Sequence, residues 1–349
     1  MRLYFCLVSV VLLTGCFGDG NGPVGPSPPQ FTKGVYILNE GNFTRGNSTL
    51  SFFLPDSNKV FADVFGTANG RDLGDTGNDI VVHGARAYIV VNFSDKVEVI
   101  STNDHSSIAT IPFLPGANPY KISIAPNLQK AYVTNLFQAS LSVLDLITFE
   151  FLTEKIDVGE NPQGVAFASG KVYVCNSGFG SGRAVSVIDA SKDQVLKTIT
   201  LSDGPANIGL DSDGRVWIVC SGDYGDFADP TDDTPGKLFA LNPTTDEVVD
   251  SIEVGGHPGE IAFSNDGYVY VVGELGIIKV DTRTVEIVAN PFIAGSFYTV
   301  AVDGRTNEIY AADAKNFVQN GVVRVYSPSG VALNEFEVGI APGSIAFVR

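Results

Sequence analysis

Three side chains with oxygen donors, Asp79, Asn207 and Glu260, hold one recurring place in the chain, each just ahead of a short apolar run: Ile80-Val81-Val82, Ile208-Gly209-Leu210 and Ile261-Ala262-Phe263. Carboxylate and amide oxygens are the donors calcium prefers, and a metal-held water is a nucleophile for ester or lactone hydrolysis. The same place is held elsewhere by Lys121, Gly164, Thr299 and Ser344. A hydrated polar ring would therefore serve as well without a metal, and both readings stand. A second acidic set, Asp223, Asp226, Asp229, Asp232 and Asp233, lies in the segment SGDYGDFADPTDDTPG. It lacks EF-hand spacing and carries two prolines, which favours a solvated acidic loop over a calcium site.

Other chemistry is narrowed by what the sequence omits. His83, His105 and His257 are the three histidines, none within metal-pair spacing of another, and two of them sit in glycine turns. No nucleophile elbow, phosphate loop or zinc spacing occurs. Of four cysteines, Cys6 and Cys16 fall in the N-terminal segment, leaving Cys175 and Cys220, which read as buried free thiols. An aromatic recurs in a polar setting: Phe43, Phe93, Phe137, Phe179, Tyr224 with Phe227, and Phe317, beside Asn42, Asn92, Asn135, Asn176, Gly225 and Asn316. Arg45 and Arg183 lie close to two of these rings.

The elements that must position these residues come from a repeat. AYVTNLFQASLSVLDL, KVYVCNSGFGSGRAVSVIDA, RVWIVCSGDYG with KLFALNP, and YVYVVGELGIIKVDT align on Tyr132, Tyr173, Trp217 and Tyr270. Pro119, Pro162, Pro205, Pro258 and Pro342 mark most junctions, at the spacing of propeller blades. Short β-branched runs separated by Gly, Asn, Asp and Pro read as strands joined by turns, four to a unit. The first unit lacks the inner apolar run that every later unit has, and the chain ends on such a run, GSIAFVR. The fold class is therefore all-β: a seven-bladed propeller of four-stranded antiparallel blades, closed by a C-terminal strand at 343–347 that joins the first blade and removes an open edge.

In such a ring the second-to-third loops share a face with the crossovers between blades. Six blades then place an aromatic at one rim around the central opening, and only the short GELG loop of blade 6 falls outside the pattern. Rings flanked by amides suit a bulky amphipathic ligand such as a corrinoid, a glycan or an exposed peptide. Each ring folding back to plug its own blade is the alternative. Asn42, Phe43, Arg45, Phe93, Asn135, Phe137, Phe179, Arg183, Tyr224, Phe227 and Phe317 are the candidate ligand-binding residues, and Asp79, Asn207 and Glu260 the candidate metal ligands.

A formal net charge of -17 disfavours nucleic acid and anionic lipid surfaces as partners. Residues 1–15 have the character of a secretory leader, an apolar LYFCLVSVVLL too short to span a bilayer, ending at Leu13-Thr14-Gly15-Cys16. The expected domains are this leader, a Gly/Pro-rich tether over 16–32, and the propeller over 33–349.

The Leu-Thr-Gly-Cys segment resembles the bacterial lipobox, which implies cleavage before Cys16, a lipid on its sulfur and contact with the membrane through that lipid alone. Tyr132-Val133-Thr134-Asn135 with the V-x-V-I-D strand resembles the YVTN repeat of the YncE-like propellers. The phrases GVYILNEGNFTRGNSTLSFF, LGDTGNDIVVHGARAYI and SGDYGDF are similar to a group of lipoprotein propellers common in Bacteroidetes. The resemblance covers nearly all of residues 33–349. It implies an outer-membrane lipoprotein of the cell envelope. The BtuG-type members of that group bind cobalamin and pass it to a TonB-dependent transporter, so a corrinoid and a transporter partner are what the resemblance implies here. A lactonase-type hydrolase and a protein-interaction scaffold are the readings that compete with it.

Overall fold

A computed structural model of the chain describes residues 33–226 and 231–349. The expected leader, tether and lipidated Cys16, and the rim candidate Phe227, lie outside the described residues.

Twenty-eight strands form seven four-stranded antiparallel sheets among the described residues. Blade 1 combines β1 (Gly34–Asn39), β2 (Thr49–Leu54) and β3 (Lys59–Phe61) with β28 (Pro342–Val348), in the order β28-β1-β2-β3. The remaining strands, from β4 (Gly77–His83) to β27 (Ala332–Ile340), fill blades 2 to 7 four at a time, in chain order. The expected ring closure holds: Tyr36 faces Ala346 and Ile37 faces Ile345 across an antiparallel pair. The facing edges of β28 and β1 are thereby paired.

The aligned aromatics explain the packing. Tyr36, Tyr88, Tyr132, Tyr173, Trp217, Tyr270 and Tyr310, one in the second strand of each blade, are each at most 2% exposed. They join seven apolar clusters, one in each gap between neighbouring blades. Burying a ring of this size contributes about 1.5–3 kcal/mol, so the repeat distributes the core evenly instead of concentrating it at one centre. Hydroxyls on these rings reach the next blade. Tyr132 Oη donates to Asp193 Oδ1 at 2.8 Å and Tyr173 Oη to Asp246 Oδ1 at 2.5 Å, while Lys130 and Lys171 bond the same two carboxyl groups at 2.7 Å. Cys175 and Cys220 are buried and unpaired with each other, both in the cluster between blades 4 and 5.

One α-helix occurs among the described residues, α1 (Val64–Asn69), where the short outer strand of blade 1 leads into blade 2. Asp63 caps it by accepting from Gly66 N at 3.1 Å, and Phe65 is fully buried. Six residues are too few to leave a helical periodicity in the sequence.

The inner strands carry a local irregularity that matters for the site. In blades 1 to 5 the inner strand begins at Pro342, Gly77, Pro119, Pro162 and Pro205, ahead of the apolar residues Ile345, Ile80, Ile122, Val165 and Ile208 that open the runs. In each of these blades the pairing with the second strand then shifts, leaving extra residues on the inner strand. Asp79, Lys121, Gly164, Asn207 and Ser344 lie at or beside these bulges, not ahead of the strand. A bulge turns its side chain away from the sheet plane, and here Asp79, Lys121, Asn207 and Ser344 all line the axial channel.

Candidate functional site

The second-to-third loops and the blade crossovers share one face, as the topology requires, and the predicted rings stand exposed on it. Phe43 is 66% exposed, Phe93 45%, Phe137 61%, Phe179 60%, Tyr224 46% and Phe317 49%. None of the six plugs its own blade. Two pairs meet across blade boundaries, Phe43 against Phe93 with centroids 4.6 Å apart and Phe137 against Phe179 at 6.0 Å, while Phe317 stands edge-on to Tyr298 of its own blade at 5.0 Å. Tyr224 stacks on His257 at 3.6 Å. Phe179 and Phe317 have φ of 55° and 60°, a left-handed backbone that is costly for bulky residues and is found where a side chain must be aimed.

The amides flanking the rings have a different role from the one expected. Asn135 is 1% exposed and donates to Ser140 Oγ at 3.0 Å and Ser142 Oγ at 2.8 Å. Asn176 donates to Ser186 Oγ and Asn92 to Pro119 O, both buried. They fasten the ends of second strands, because an amide there satisfies groups that a departing loop leaves unpaired. Asn135 is therefore removed from the rim. Asn42 stays on it, donating to Phe317 O at 3.0 Å and so joining the loops of blades 7 and 1. Arg45 is exposed. Arg183 is exposed and forms an ion pair with Asp203 through Nε.

Inside the rim lies a funnel of about 420 Å³ on the axis, to which all seven blades contribute. Its wall includes Tyr120, Tyr224, His257, Phe297 and Tyr298, and its carboxyl groups are Glu40, Glu260 and Glu274. Glu274 belongs to the GELG loop, with Leu275 beside it 70% exposed, so blade 6 does contribute to this face. Glu40 reaches the funnel past Gly343, where a Cβ atom would collide with its Oε1. Tyr298 Oη donates to Glu40 Oε1 at 2.8 Å.

Beneath the funnel is a smaller polar chamber of about 190 Å³. Lys121 and Glu260 line both cavities and are joined by an ion pair at 3.2 Å, so their bridge forms the partition. Asp79, Asn207 and Glu260 do converge on this lower chamber, but their donors are committed. Asp79 accepts from Ile122 N at 2.9 Å and from Ser344 Oγ at 3.0 Å. Asn207 turns its NH2 to Glu260 Oε2 at 2.7 Å and its oxygen to Ile208 N at 2.8 Å. The cation in this chamber is the ammonium of Lys121, which pairs with Glu260 and feels the charge of Asp79. Among the described residues no three His, Cys, Asp or Glu side chains are grouped as metal ligands.

The ionisation of the site follows from this geometry. Burial pushes Glu40 up to about 7, with the Tyr298 hydrogen bond and Lys121 opposing and Glu260 reinforcing. Burial also raises Glu260, although Lys121 and Asn207 pull it down. Burial disfavours the Lys121 ammonium, but Glu260, Asp79 and Tyr120 outweigh that and leave its pKa above the ordinary lysine value. Sequence reasoning placed Lys121 on the ring without assigning it a role, and gave His257 only a turn. Glu40, Tyr120 and Tyr298 carried no repeat signal, because each belongs to one blade alone.

Fold and site together define a single-ring propeller with an aromatic, ligand-accessible face over a polar axial funnel. Residues 33–223 match the family described as a domain of unknown function (DUF5074), and the chain belongs to that family. No curated protein matches it in sequence. Among solved structures it is similar to a quinoprotein alcohol dehydrogenase-like protein of Bacteroides thetaiotaomicron, with a TM-score of 0.72 and 17% identity over 92% of this chain and 79% of that one. A putative 6-phosphogluconolactonase of Bacteroides fragilis gives 0.65 at 13% identity, covering 91% and 98%. A functionally unknown protein of Desulfotomaculum acetoxidans gives 0.67 at 15% identity, covering 91% and 99%. At these identities the likeness is one of fold.

Proposed function

We propose that the protein is a binding module, not an enzyme, and that it captures a bulky amphipathic ligand on its aromatic face. The observation that carries this reading is the set of six rings, 45–66% exposed, around one opening. A monomeric soluble surface seldom keeps so much apolar area open without a partner for it. Covering half of one such ring contributes roughly 1–2 kcal/mol, so three or four rings acting together supply roughly 3–8 kcal/mol, and polar contacts from the rim and funnel must add to this to offset the cost of association and reach micromolar binding.

In its sharpest form the ligand is a corrinoid, presented to an outer-membrane transporter by a propeller held at the cell envelope through lipid on Cys16. The lipobox-like Leu13-Thr14-Gly15-Cys16 and the first-blade phrase support this form. Titrating cyanocobalamin into the purified full chain tests the ligand. Radiolabelled palmitate incorporation that disappears in Cys16→Ser tests the anchor, and label retained in that variant refutes it.

A further inference from the structure

The funnel has too little positive charge for the carboxyl groups it holds. Glu40, Glu260 and Glu274 face it, while Lys121 is already paired with Glu260. Glu40 is held by a neutral donor, the Tyr298 hydroxyl, and burial pushes its carboxyl well above the ordinary glutamate value, offset only in part by that hydrogen bond and by Lys121. The side chains between these acids are aromatic. Tyr298 and Tyr224 stand on the wall, and both belong to ring pairs that fix their orientation. Carboxylates set among aromatic faces are the surroundings that stabilise an organic cation, through charge on one side and ring quadrupoles on the other.

We propose that the funnel is a subsite for an organic ammonium group, seated between Glu40 and Glu274 with Tyr224 and Tyr298 as its aromatic walls. This rests on the reading that the aromatic face binds a ligand and names a chemical feature of that ligand. A hydrated metal ion fits less well, since ring faces offer it no oxygen donors. An anion would meet three carboxyl groups against one engaged ammonium. Binding of the cation favours ionised Glu40, so affinity rises with pH as that carboxyl loses its proton. Tyr298, Lys121, Glu260 and Tyr120 act on Glu40 directly; Glu274 and His257 line the same funnel, and Asp79 lies in the chamber below.

Benzylamine, benzyl alcohol and benzoate, titrated calorimetrically into the purified full chain at pH 7.5, share a ring and differ in charge. Benzylamine binds at least about tenfold more tightly than benzyl alcohol, and benzoate is weakest; the affinity for benzylamine rises severalfold from pH 6 to pH 8. Glu40→Gln removes most of this preference for the amine and flattens the pH profile. Glu274→Gln, on an exposed loop that the fold does not depend on, reduces the preference in part. Equal affinity for amine and alcohol, or no benzylamine binding at about 10 mM, overturns the proposal. The two readings fail separately. Cyanocobalamin binding that depends on Phe137 and Phe179, without amine selectivity, retains the binding face and discards the cation subsite. Amine selectivity without cyanocobalamin binding does the reverse for the corrinoid.

Discussion

At the residue scale, the functional character of the axis comes from three ionisable groups that one lysine cannot neutralise. Glu40 shows the consequence for stability. Its folded pKa of about 7 lies above its ordinary value of 4.5, so the folded state holds the proton more tightly than the unfolded one. Stability is then greatest below the ordinary value and is lost as pH rises through 7, by on the order of 2–3 kcal/mol. Glu40→Gln is expected to melt higher than the parent at pH 8 and to differ little at pH 5. Equal melting differences at both pH values would show that Glu40 does not titrate in this range. Lys121→Met leaves Glu260 and Asp79 in the channel without their cation and is expected to cost about 3 kcal/mol. Lys121→Met with Glu260→Gln recovers much of that loss in urea unfolding, whereas additive losses would mean the ion pair has no such role. The recurring rings were legible in the sequence because they repeat with the blades. Asn135 was misplaced because a sequence gives the loop position of an amide without saying whether it turns inward to a strand end.

At the scale of elements, two devices fix the site. The inner-strand bulges of blades 1 to 5 put Asp79, Lys121, Asn207 and Ser344 on the channel wall, and the tyrosine and lysine contacts bind neighbouring blades on the opposite side. Bulges were not legible, since inserting a residue changes strand pairing without breaking the apolar run that marks the strand. The stitches were partly legible: the aligned aromatics predicted a buried core, but the carboxylates they reach belong to the following blade. Asp246 accepts from Tyr173, Lys171 and Lys197. Burial raises its pKa, but these bonds outweigh burial and hold it below the ordinary aspartate value. Its contribution is therefore present above about pH 4 and is lost as pH falls through the lower folded value. Asp246→Asn is expected to lower stability by about 2 kcal/mol at pH 7 and by progressively less as the pH falls below about 4, followed by urea midpoints. A loss that does not change with pH would assign the effect to packing and not to charge.

At the scale of the whole molecule, the ring is closed by the pairing of β1 with β28, and this was the most legible feature of all. The missing inner run at one end and the surplus run at the other specified it. Removing residues 342–349 takes the inner strand from blade 1, exposes an edge on β1 and strips Ala346 and Val348 from the cluster between blades 1 and 2. The truncated chain is expected to lose cooperative thermal unfolding, and a sharp transition at the parental temperature would show that closure is dispensable. The seven blades also explain why rings from remote parts of the chain, Phe43 through Phe317, surround one opening. The central claim is that this opening binds a ligand, with a corrinoid as its sharpest form. Isothermal titration of cyanocobalamin into the full chain and into a Phe137→Ala/Phe179→Ala double variant tests it most directly. The account predicts a Kd of about 10 µM or tighter for the parent and at least tenfold weaker binding in the variant. Equal binding by both, or none by the parent at several tens of micromolar, would contradict it.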